Sequence, residues 1–555
     1  MPWSTCIIRG EMQSAHTPAT STPRKTLSAA NTRRRRIVLP AAGLLMVAFL
    51  LSRVLGMVRQ VLFTSIFGTT GIQSDAYITA FRAPELVFNL VSGGALTSAF
   101  IPTFAGYLAR KSAAEEAEGW RVASTVFYLS MVVLLPILVL AIIFAPLYVP
   151  WLVGNNNATL INTTIPLTRI MLLQPLFMAL ITVCQGVSNS YSRFTAPALA
   201  PLVYNLSVIV GILVGHFVGI TAVAWAVTIG AALQFAVQIP YLPQGRRLFR
   251  FAFEIGAEGV RDIGRLMLPR LFGQAGIQAS LVTTTILASM LPSLPNSGLA
   301  LAWTLILLPV GIFAAALATT AFPVMSRQAA VNDMTGFART VSETMRMVFF
   351  LTVPAAAGLI ILAPRVIRVL SYGSSNNELS IHLVTLATIY YAIGIPGHAL
   401  AEVLPRAFFA IKDSRTPVLV VLWTLALAIF LSVMAVKFIP GDDAIAGLAA
   451  AISIAVLAEA INLTLALHRA VPEFALGPLG WSLVRANLAA GVMAAGVGWM
   501  AAYLTHTINT SRFGSFVALV ICIPLGAGIY LAAGLLLRVP EARIMAARVR
   551  SRIGL

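Results

Sequence analysis

Two arginines, Arg53 and Arg59, lie inside the first long apolar stretch of the chain, and their type and spacing indicate an anion site. A guanidinium at membrane depth costs at least about 2.5–3.5 kcal/mol, so two on one span should face a wet interior. On a helix they would lie about 120° apart with Gly56 midway between them, which leaves space between two cations. Arginine binds phosphate oxygens in a bidentate manner, so the pair suits a phosphate-bearing ligand.

The alternative is that one or both arginines lie near the cytoplasmic end of the helix and anchor it by reaching the lipid headgroups. Apolar sequence continues past Arg59 through Val61–Phe63 and Ile66–Phe67. This continuation favours a position within the membrane for Arg59 more than for Arg53.

Other reactive residue types give weaker signals. Glu85, Glu402 and Glu459 are candidate membrane-embedded carboxylates, suited either to a coupling cation or to a hydrogen bond with a neighbouring helix. The histidines lack metal-ligand spacing, the three cysteines are too far apart for a disulfide framework, and the sequence has no evident nucleophile–base pair. We therefore expect neither an enzyme nor a resident metal or cofactor.

The composition is that of a polytopic membrane protein. Of 555 residues, 58% are hydrophobic and only 10% are charged, against about a quarter charged in an ordinary soluble domain. The net charge of +19 is scattered over short loops and both termini. Because the basic residues do not form one face, nucleic acid is not an expected partner, whereas membrane lipids are.

Apolar stretches separated by charged, Pro, Gly or Asn clusters predict fourteen spans. Basic residues concentrate in the loops after even-numbered spans, so the positive-inside rule predicts a cytoplasmic-membrane protein with both termini in the cytoplasm. The predicted segments are a disordered basic tail over 1–36, spans 1–6 within 37–243, spans 7–12 within 260–469, spans 13–14 within 482–538, and a basic tail over 539–555.

Short segments of the first half recur in the second half. Ser98–Pro102 is echoed by Thr320–Pro323 and Arg193–Pro197 by Arg415–Pro417, at nearly the same separation along the chain. A repeat of six spans enters the membrane twice in the same sense. The sequence thus predicts an all-α polytopic membrane protein with about fourteen helices, arranged as two six-helix lobes around a central cavity plus two C-terminal helices.

Proline and glycine occur within several predicted spans. Pro84 with Gly93 and Gly94 in the second span, Pro309 in the eighth, and Gly394 with Pro396 in the tenth are expected to interrupt their helices. Broken helices at membrane depth are tolerated where they line a cavity or absorb hinge motion, although simple packing kinks are an equal alternative.

At the level of motifs, the chain resembles the lipid II flippases of the MurJ or MviN family, in the multidrug/oligosaccharidyl-lipid/polysaccharide exporter superfamily. The motifs that carry the resemblance are Ser52–Arg59, Phe67–Gly68, Asp75–Tyr77, Phe81–Pro84, Gly94–Pro102, Asn189, Arg193–Phe194, Pro197–Pro201, Asn205, Ala224–Gly230, Asp413 and Thr416–Pro417. They follow family order through the first eleven predicted spans.

This resemblance implies a cationic central cavity and movement of lipid II, the undecaprenyl-diphosphate-linked peptidoglycan precursor, from the inner to the outer leaflet. Arg53 and Arg59 fall on the family's two first-span arginines, Asp75 on an acidic residue at the start of the second span, and Arg82 on a basic position near its Pro. The substrate-binding set implied by these motifs is Ser52, Arg53, Gly56, Arg59, Gln60, Asp75 and Arg82.

Three positions depart from the family pattern. Gln60 stands where an acid usually follows the second arginine, and the arginines expected midway along the second and eighth spans fall at Phe88–Asn89 and Trp303–Thr304. The cavity should therefore hold fewer cations than is usual in the family. Arg270 in the seventh span is a candidate to restore one, with an anchor at the cytoplasmic end as the alternative.

Two classes of function are consistent with the sequence. The first is a flippase for lipid II, or an exporter of another polyprenyl-linked glycan or small molecule by alternating access. The second is a non-transporting membrane scaffold for cell-wall synthesis proteins, which are the other class of expected partner. An intact first-span arginine pair favours transport, whereas loss of cavity cations favours the scaffold.

Overall fold

A computed structural model describes residues 51–553 apart from 92–94, 110–111, 155–156, 192, 194, 244, 372–376 and 508–510. The predicted tail over 1–36 lies outside the described residues. The helices of the first half are α1 (51–67), α2 (Ile72–Val91), α3 (Ala95–Ala109), α4 (Ala113–Ile143), α5 (Ala145–Leu152), α6 (Ala158–Met171), α7 (Gln174–Ser190), α8 (Thr195–Val218), α9 (Thr221–Ala236) and the short α10 (Gly245–Leu248).

The second half continues with helices as the regular elements. They are α11 (Glu258–Ser289), α12 (Asn296–Pro309), α13 (Ala315–Ala330), α14 (Met334–Leu370), α15 (Glu378–Ile393), α16 (Ile395–Ala410), α17 (Arg415–Phe438), α18 (Ala444–Ala470), α19 (Leu476–Thr507), α20 (Arg512–Leu536) and α21 (Pro540–Ile553). Ten helical segments of the described chain are long and apolar enough to cross a membrane, and α15 with α16 makes an eleventh. The protein is therefore an all-helical multi-pass membrane protein.

The helices of the two halves correspond one to one. From α2 to α9, each of the longer first-half helices other than α5 has a counterpart among α12 to α18, in the same order and at a nearly constant separation along the chain. Helices α8 and α17 are both 24 residues long. Equivalent pairs also pack together, since α8 contacts α9 as α17 contacts α18, and α3 contacts α7 as α13 contacts α16. The repeat seen in short sequence echoes thus extends to helix lengths and neighbours.

Two of the three predicted interruptions are present in the described chain. After Pro309 the helix changes to a π-helical turn over Val310–Ala314 before α13 begins. Proline lacks the N–H that an α-helix requires, which accounts for the change at this point. At Gly394 the axis bends by 41° between α15 and α16. By contrast, α2 runs unbroken through Pro84, while Gly93 and Gly94 lie outside the described residues.

Hydrophobic packing joins the last two spans to the second half. Buried side chains of α19 and α20, among them Met493 and Cys522, form one cluster with Phe350 of α14. The segment predicted as a basic tail over 539–555 contains α21, whose first turn docks against α14. Glu541 is 4% exposed and lies 3.4 Å from the Arg346 guanidinium, and Ala542 beside it is fully buried.

The motif at Asp413 begins α17. Its carboxylate accepts a hydrogen bond from the Thr416 hydroxyl at 2.6 Å and others from the backbone N–H groups of Thr416 and Arg415. These bonds satisfy helix N–H groups that would otherwise lack partners. The Thr416 hydroxyl first, and the backbone groups after it, lower the pKa of the Asp413 carboxyl below its usual range.

Candidate functional site

A small cationic pocket of about 160 Å³ lies among α1, α2 and α8. Arg59 and Gln60 line it together with Phe63, one turn further along α1. The Arg59 guanidinium carbon lies 5.8 Å from the centre of the Tyr204 ring, which is the geometry of a cation–π contact. The Tyr204 ring thus helps to position the Arg59 guanidinium, and the guanidinium gives the pocket a positive charge that suits an anionic group.

An ion pair on α2 forms one side of this cationic pocket. Arg82 Nη1 lies 2.8 Å from Glu85 Oε2, and Arg82 Nε donates a hydrogen bond to Thr285 Oγ1 at 2.7 Å. Thr285 belongs to α11, so the arginine links the two halves of the chain. Both members of the pair also line a second, larger cavity, which makes them a partition between the two spaces.

That larger cavity, the second-half chamber, has a volume of about 460 Å³ and is surrounded mainly by α11, α12 and α15–α18. Besides Arg82 and Glu85, its polar and aromatic lining comprises Ser280, Thr284, Thr285, Asn296, Trp303, Thr304, Tyr391, His398, Thr424 and Glu459. Apart from Arg82, its charged lining is acidic, so the chamber differs in character from the cationic pocket.

Three aromatic side chains pack together on the chamber wall. The Trp303 ring meets Tyr391 at a centroid distance of 5.5 Å and His398 at 5.2 Å, both edge to face. Such contacts orient the rings and add to the stability of the helix packing. This cluster was not predicted from the sequence, in which Trp303 was noted only as a position where an arginine was expected. The presence of an aromatic residue at a position expected to line the cavity could have indicated an aromatic wall.

The structure separates the two first-span arginines. Arg53 is exposed, and its guanidinium lies against Gly311 in the π-helical turn that follows α12. A Cβ at Gly311 would collide with it, so the absence of a side chain creates the space that Arg53 occupies. In this conformation Arg53 reaches the eighth predicted span and does not line the cationic pocket, in contrast to the predicted paired site.

Ser52 and Gly56 face α8 instead of the space between the arginines. The Asn205 side-chain amide lies 3.4 Å from the Ser52 hydroxyl and carbonyl oxygens, and a Cβ at Gly56 would meet Asn205 Oδ1 at 4.0 Å. These two residues thus set how α1 approaches α8. Their role in substrate binding stays a prediction.

Asp75 also differs from the prediction, because it lies inside the protein wall with no exposed surface. Its carboxylate accepts hydrogen bonds from the Ser289 hydroxyl and from the backbone N–H of Asn296, each at 3.0 Å. A buried carboxylate needs such partners, and here they come from the end of α11 and the start of α12. Asp75 therefore joins α2 to the second half behind the chamber.

The other candidate residues are placed as follows. Gln60 lines the cationic pocket, and its Nε2 has no hydrogen-bond partner among the described residues. Glu402 lies 2.9 Å from Arg406, one turn away on α16, and Glu459 lines the second-half chamber. Arg270 belongs to α11, but its side chain lies outside the described part of the structure.

A third space is almost wholly apolar. It is a groove of about 640 Å³ bounded by α12, α14, α19 and α20, with Met57 of α1 at one side. Met57 lies one helical turn from Arg53, so the groove comes close to the point where that arginine crosses to Gly311. An apolar chain would be accommodated there without burying polar groups.

The sequence and the fold are similar to those of known proteins. The family model for lipid II flippase MurJ matches residues 63–521. The lipid II flippase MurJ of Burkholderia cenocepacia is 30% identical over 380 residues, covering 66% of this chain and 72% of that protein. A probable lipid II flippase MurJ of Rhizobium tropici is 27% identical over 467 residues, covering 82% and 85%.

Solved structures agree in fold. A lipid II flippase MurJ in an inward closed conformation superposes with a TM-score of 0.73 at 24% identity, covering 89% of this chain and 99% of that one. An inward-facing multidrug resistance MATE transporter of the MOP superfamily gives 0.64 at 14% identity, covering 76% and 95%. The resemblance predicted from the motifs is confirmed, and the chain belongs to the lipid II flippase MurJ family.

Proposed function

We propose that this protein moves lipid II from the inner to the outer leaflet of the bacterial cytoplasmic membrane. The observation that supports the proposal is the presence of three chemically distinct spaces: the cationic pocket at Arg59, the polar second-half chamber that adjoins it, and an apolar groove between α12, α14, α19 and α20. A lipid-linked precursor contains an apolar chain, a diphosphate and a polar headgroup. Each part has a matching environment, and the family membership supports the same substrate.

The cationic pocket is the proposed site of the diphosphate. Arg59 supplies the charge, Arg82 lies at the partition, and Arg53 extends the positive field toward the groove. At an effective dielectric constant of about 20, each close ion pair contributes roughly 4 kcal/mol before desolvation is subtracted. Two or three arginines therefore suffice for a diphosphate, although two arginines usual in the family are absent.

Alternating access is the proposed mechanism, with one six-helix lobe rocking against the other. The contacts that would have to break or re-form are those between the halves, of which Arg82 with Thr285 and Asp75 with Asn296 are two. The helix breaks at Pro309 and Gly394 supply positions where a span could bend. Substrate that replaces Thr285 as the partner of Arg82 would couple binding to lobe movement.

The proposed membrane topology has fourteen spans. The eleven apolar segments, with α15 and α16 counted as one, are joined in it by α1, by α2 with α3, and by α11. Of these, α1, α2 and α11 contribute residues to the cationic pocket or the chamber. The two lobes are assigned to 37–243 and 260–469, spans 13–14 to 482–538, and both termini to the cytoplasm. An arrangement of this kind belongs to a transporter, not an enzyme.

Cysteine labelling tests the orientation. Thr159 and Glu258 are both exposed near the starts of helices on opposite predicted sides. In a variant without native cysteines, Thr159→Cys should react with an impermeant thiol reagent added outside intact cells, and Glu258→Cys should react only after the membrane is opened. The reverse pattern would overturn the orientation.

Complementation tests the function directly. The chain is expressed in bacteria depleted of their own flippase, and lipid II in the outer leaflet is measured together with survival. We expect both to be restored. Survival without outer-leaflet lipid II would indicate a scaffold, and no effect from a protein that inserts normally would contradict the proposed substrate.

A further inference from the structure

We propose that the second-half chamber is a subsite for the glycan of the lipid-linked precursor. This inference rests on the proposed function and makes it more specific. The cationic pocket suits the diphosphate, whereas the chamber has the opposite hydrogen-bonding character. The two spaces therefore divide the headgroup by chemistry: phosphate oxygens on one side of the Arg82–Glu85 partition and sugar hydroxyl and amide groups on the other.

The chamber is rich in acceptors. The hydroxyls of Thr284, Thr304 and Thr424 each donate to a carbonyl of their own helix, at 2.9 to 3.0 Å. Their protons are thus occupied, and the oxygens offer lone pairs to the cavity. Glu459 adds carboxyl oxygens to the same lining. A diphosphate has no N–H or O–H groups for these acceptors when ionised, but sugar hydroxyls and N-acetyl amides do.

The aromatic cluster supplies the other feature that sugars require. Trp303 lies edge to face with Tyr391 and His398, so three rings line one region of the chamber. Sugar rings carry faces of C–H groups, which pack against the negative faces of aromatic rings. His398 adds a polar atom to the apolar surface, since its Nε2 has no hydrogen-bond partner among the described residues.

The volume of the chamber and its position next to the cationic pocket are consistent with a glycan subsite. The chamber volume of about 460 Å³ falls within the ~300–1,000 Å³ of typical small-molecule sites. Arg82, Glu85 and Ala300 line both the chamber and the cationic pocket, so the two spaces adjoin. In the precursor the first sugar is bonded directly to the diphosphate. A diphosphate at Arg59 would therefore place the glycan at the partition, facing Trp303.

Binding to a set of ligands tests the inference. The full-length protein in lipid nanodiscs is titrated with undecaprenyl diphosphate, with the same lipid carrying the disaccharide but no peptide, and with complete lipid II. We expect Trp303→Leu to weaken binding of both glycosylated ligands about tenfold and to leave undecaprenyl diphosphate unchanged. Trp499→Leu, at a tryptophan 69% exposed on α19, is the matched control and should change none of the three affinities.

A second variant keeps the test decisive if Trp303→Leu fails to fold. Thr304→Val retains the shape and removes the acceptor oxygen, and it should show the same selective loss. Equal affinities of wild type and variant, or equal losses for all three ligands, would overturn the glycan subsite. A loss confined to the peptide-bearing ligand would overturn it in favour of a peptide site. If the wild type binds no ligand, the proposed function fails as well.

Discussion

The cationic pocket and the second-half chamber are built on equivalent helices but have opposite chemistry. Helices α8 and α17 are both 24 residues long, so aligning their first residues pairs Tyr204 with Thr424. Arg59 lines the pocket but not the chamber, whereas hydroxyl groups of Thr284, Thr304 and Thr424 line the chamber. At the Tyr204–Thr424 pair, an aromatic ring in the first half is thus replaced by a hydroxyl group in the second.

This difference shows that the repeated backbone leaves the cavity lining free to change. Residues that pack against neighbouring helices determine the length of each helix, where it is interrupted and which helices it contacts. The few residues that face the cavity determine which ligand binds. A ligand with a charged and an uncharged polar part can then lie across both halves. Changes that alter the chemistry of one half without the other test this interpretation.

Loss of Arg59 should have the largest effect. Arg59→Ala removes the cation that lies over Tyr204, and a hydrogen bond to a charged group contributes about 1.5–3 kcal/mol, or roughly a ten- to hundredfold change in diphosphate binding. Complementation should be abolished while expression and insertion stay normal. Arg59→Lys should rescue partly, because lysine lacks the bidentate geometry.

A matched control for this prediction is Arg485→Ala. Arg485 also lies over an aromatic ring, with its guanidinium carbon 5.1 Å from the centre of the Trp481 ring, but it belongs to α19 and lines neither the cationic pocket nor the chamber. This variant should complement fully. Full complementation by Arg59→Ala would instead mean that Arg59 only anchors the helix and that the cationic pocket is not the anion site.

Substitutions in the Arg82–Glu85 partition should have the next largest effect on transport. Arg82→Gln leaves Glu85 without its ion-pair partner beside the cationic pocket, where its charge opposes an anion. The double variant Arg82→Gln with Glu85→Gln removes both charges. In a transport assay, the double variant should therefore be more active than Arg82→Gln alone. Equal or additive losses would show that the pair does not act as a unit.

Features of the helices could be predicted from the sequence, whereas the cavity lining could be predicted only in part. Apolar spacing, loop charge and short echoes were enough to predict an all-helical membrane protein, the repeat and the breaks at Pro309 and Gly394, because these features follow from local chemistry. Arg59, Gln60 and Arg82 line the cationic pocket, and their role in substrate binding stays a prediction.

Roles that depend on a distant partner could not be predicted. Asp75 carries the same charge whether it faces a cavity or accepts hydrogen bonds from Ser289, 214 residues away in the chain. The sequence likewise could not show that Gly56 faces Asn205 of α8, which lies 149 residues further along the chain. The chamber forms where several helices meet, and Tyr391 and His398 are far from Trp303 along the chain. The sequence alone therefore could not show that these three rings are in contact.

A charge exchange across the partition should have an intermediate effect. Gln60 lines the cationic pocket at the position where the motif resemblance implies an acid, and Thr304 lines the chamber near the position where it implies an arginine. Gln60→Asp should lower transport by partly neutralising Arg59. Adding Thr304→Arg should restore it, because a compensating cation then lies in the chamber, on the other side of the Arg82–Glu85 partition. If Gln60→Asp is silent or raises transport, Gln60 does not compensate for the missing arginines.

The smallest effect is expected at Gly311, where Arg53 crosses to the second half. A Cβ there would collide with the Arg53 guanidinium, but this is the end of a flexible side chain and can move aside. Gly311→Ala should therefore reduce transport only a fewfold, well below the loss in Arg59→Ala, because Arg53 extends the positive field and does not line the pocket. Gly491→Ala, at a helical glycine with no neighbouring atom within 4 Å of the added Cβ, controls for the extra methyl group. A loss as large as that of Arg59→Ala, with insertion unchanged, would show that Arg53 at the π-helical turn is an equal partner in anion binding, and the cationic region would then extend across both halves.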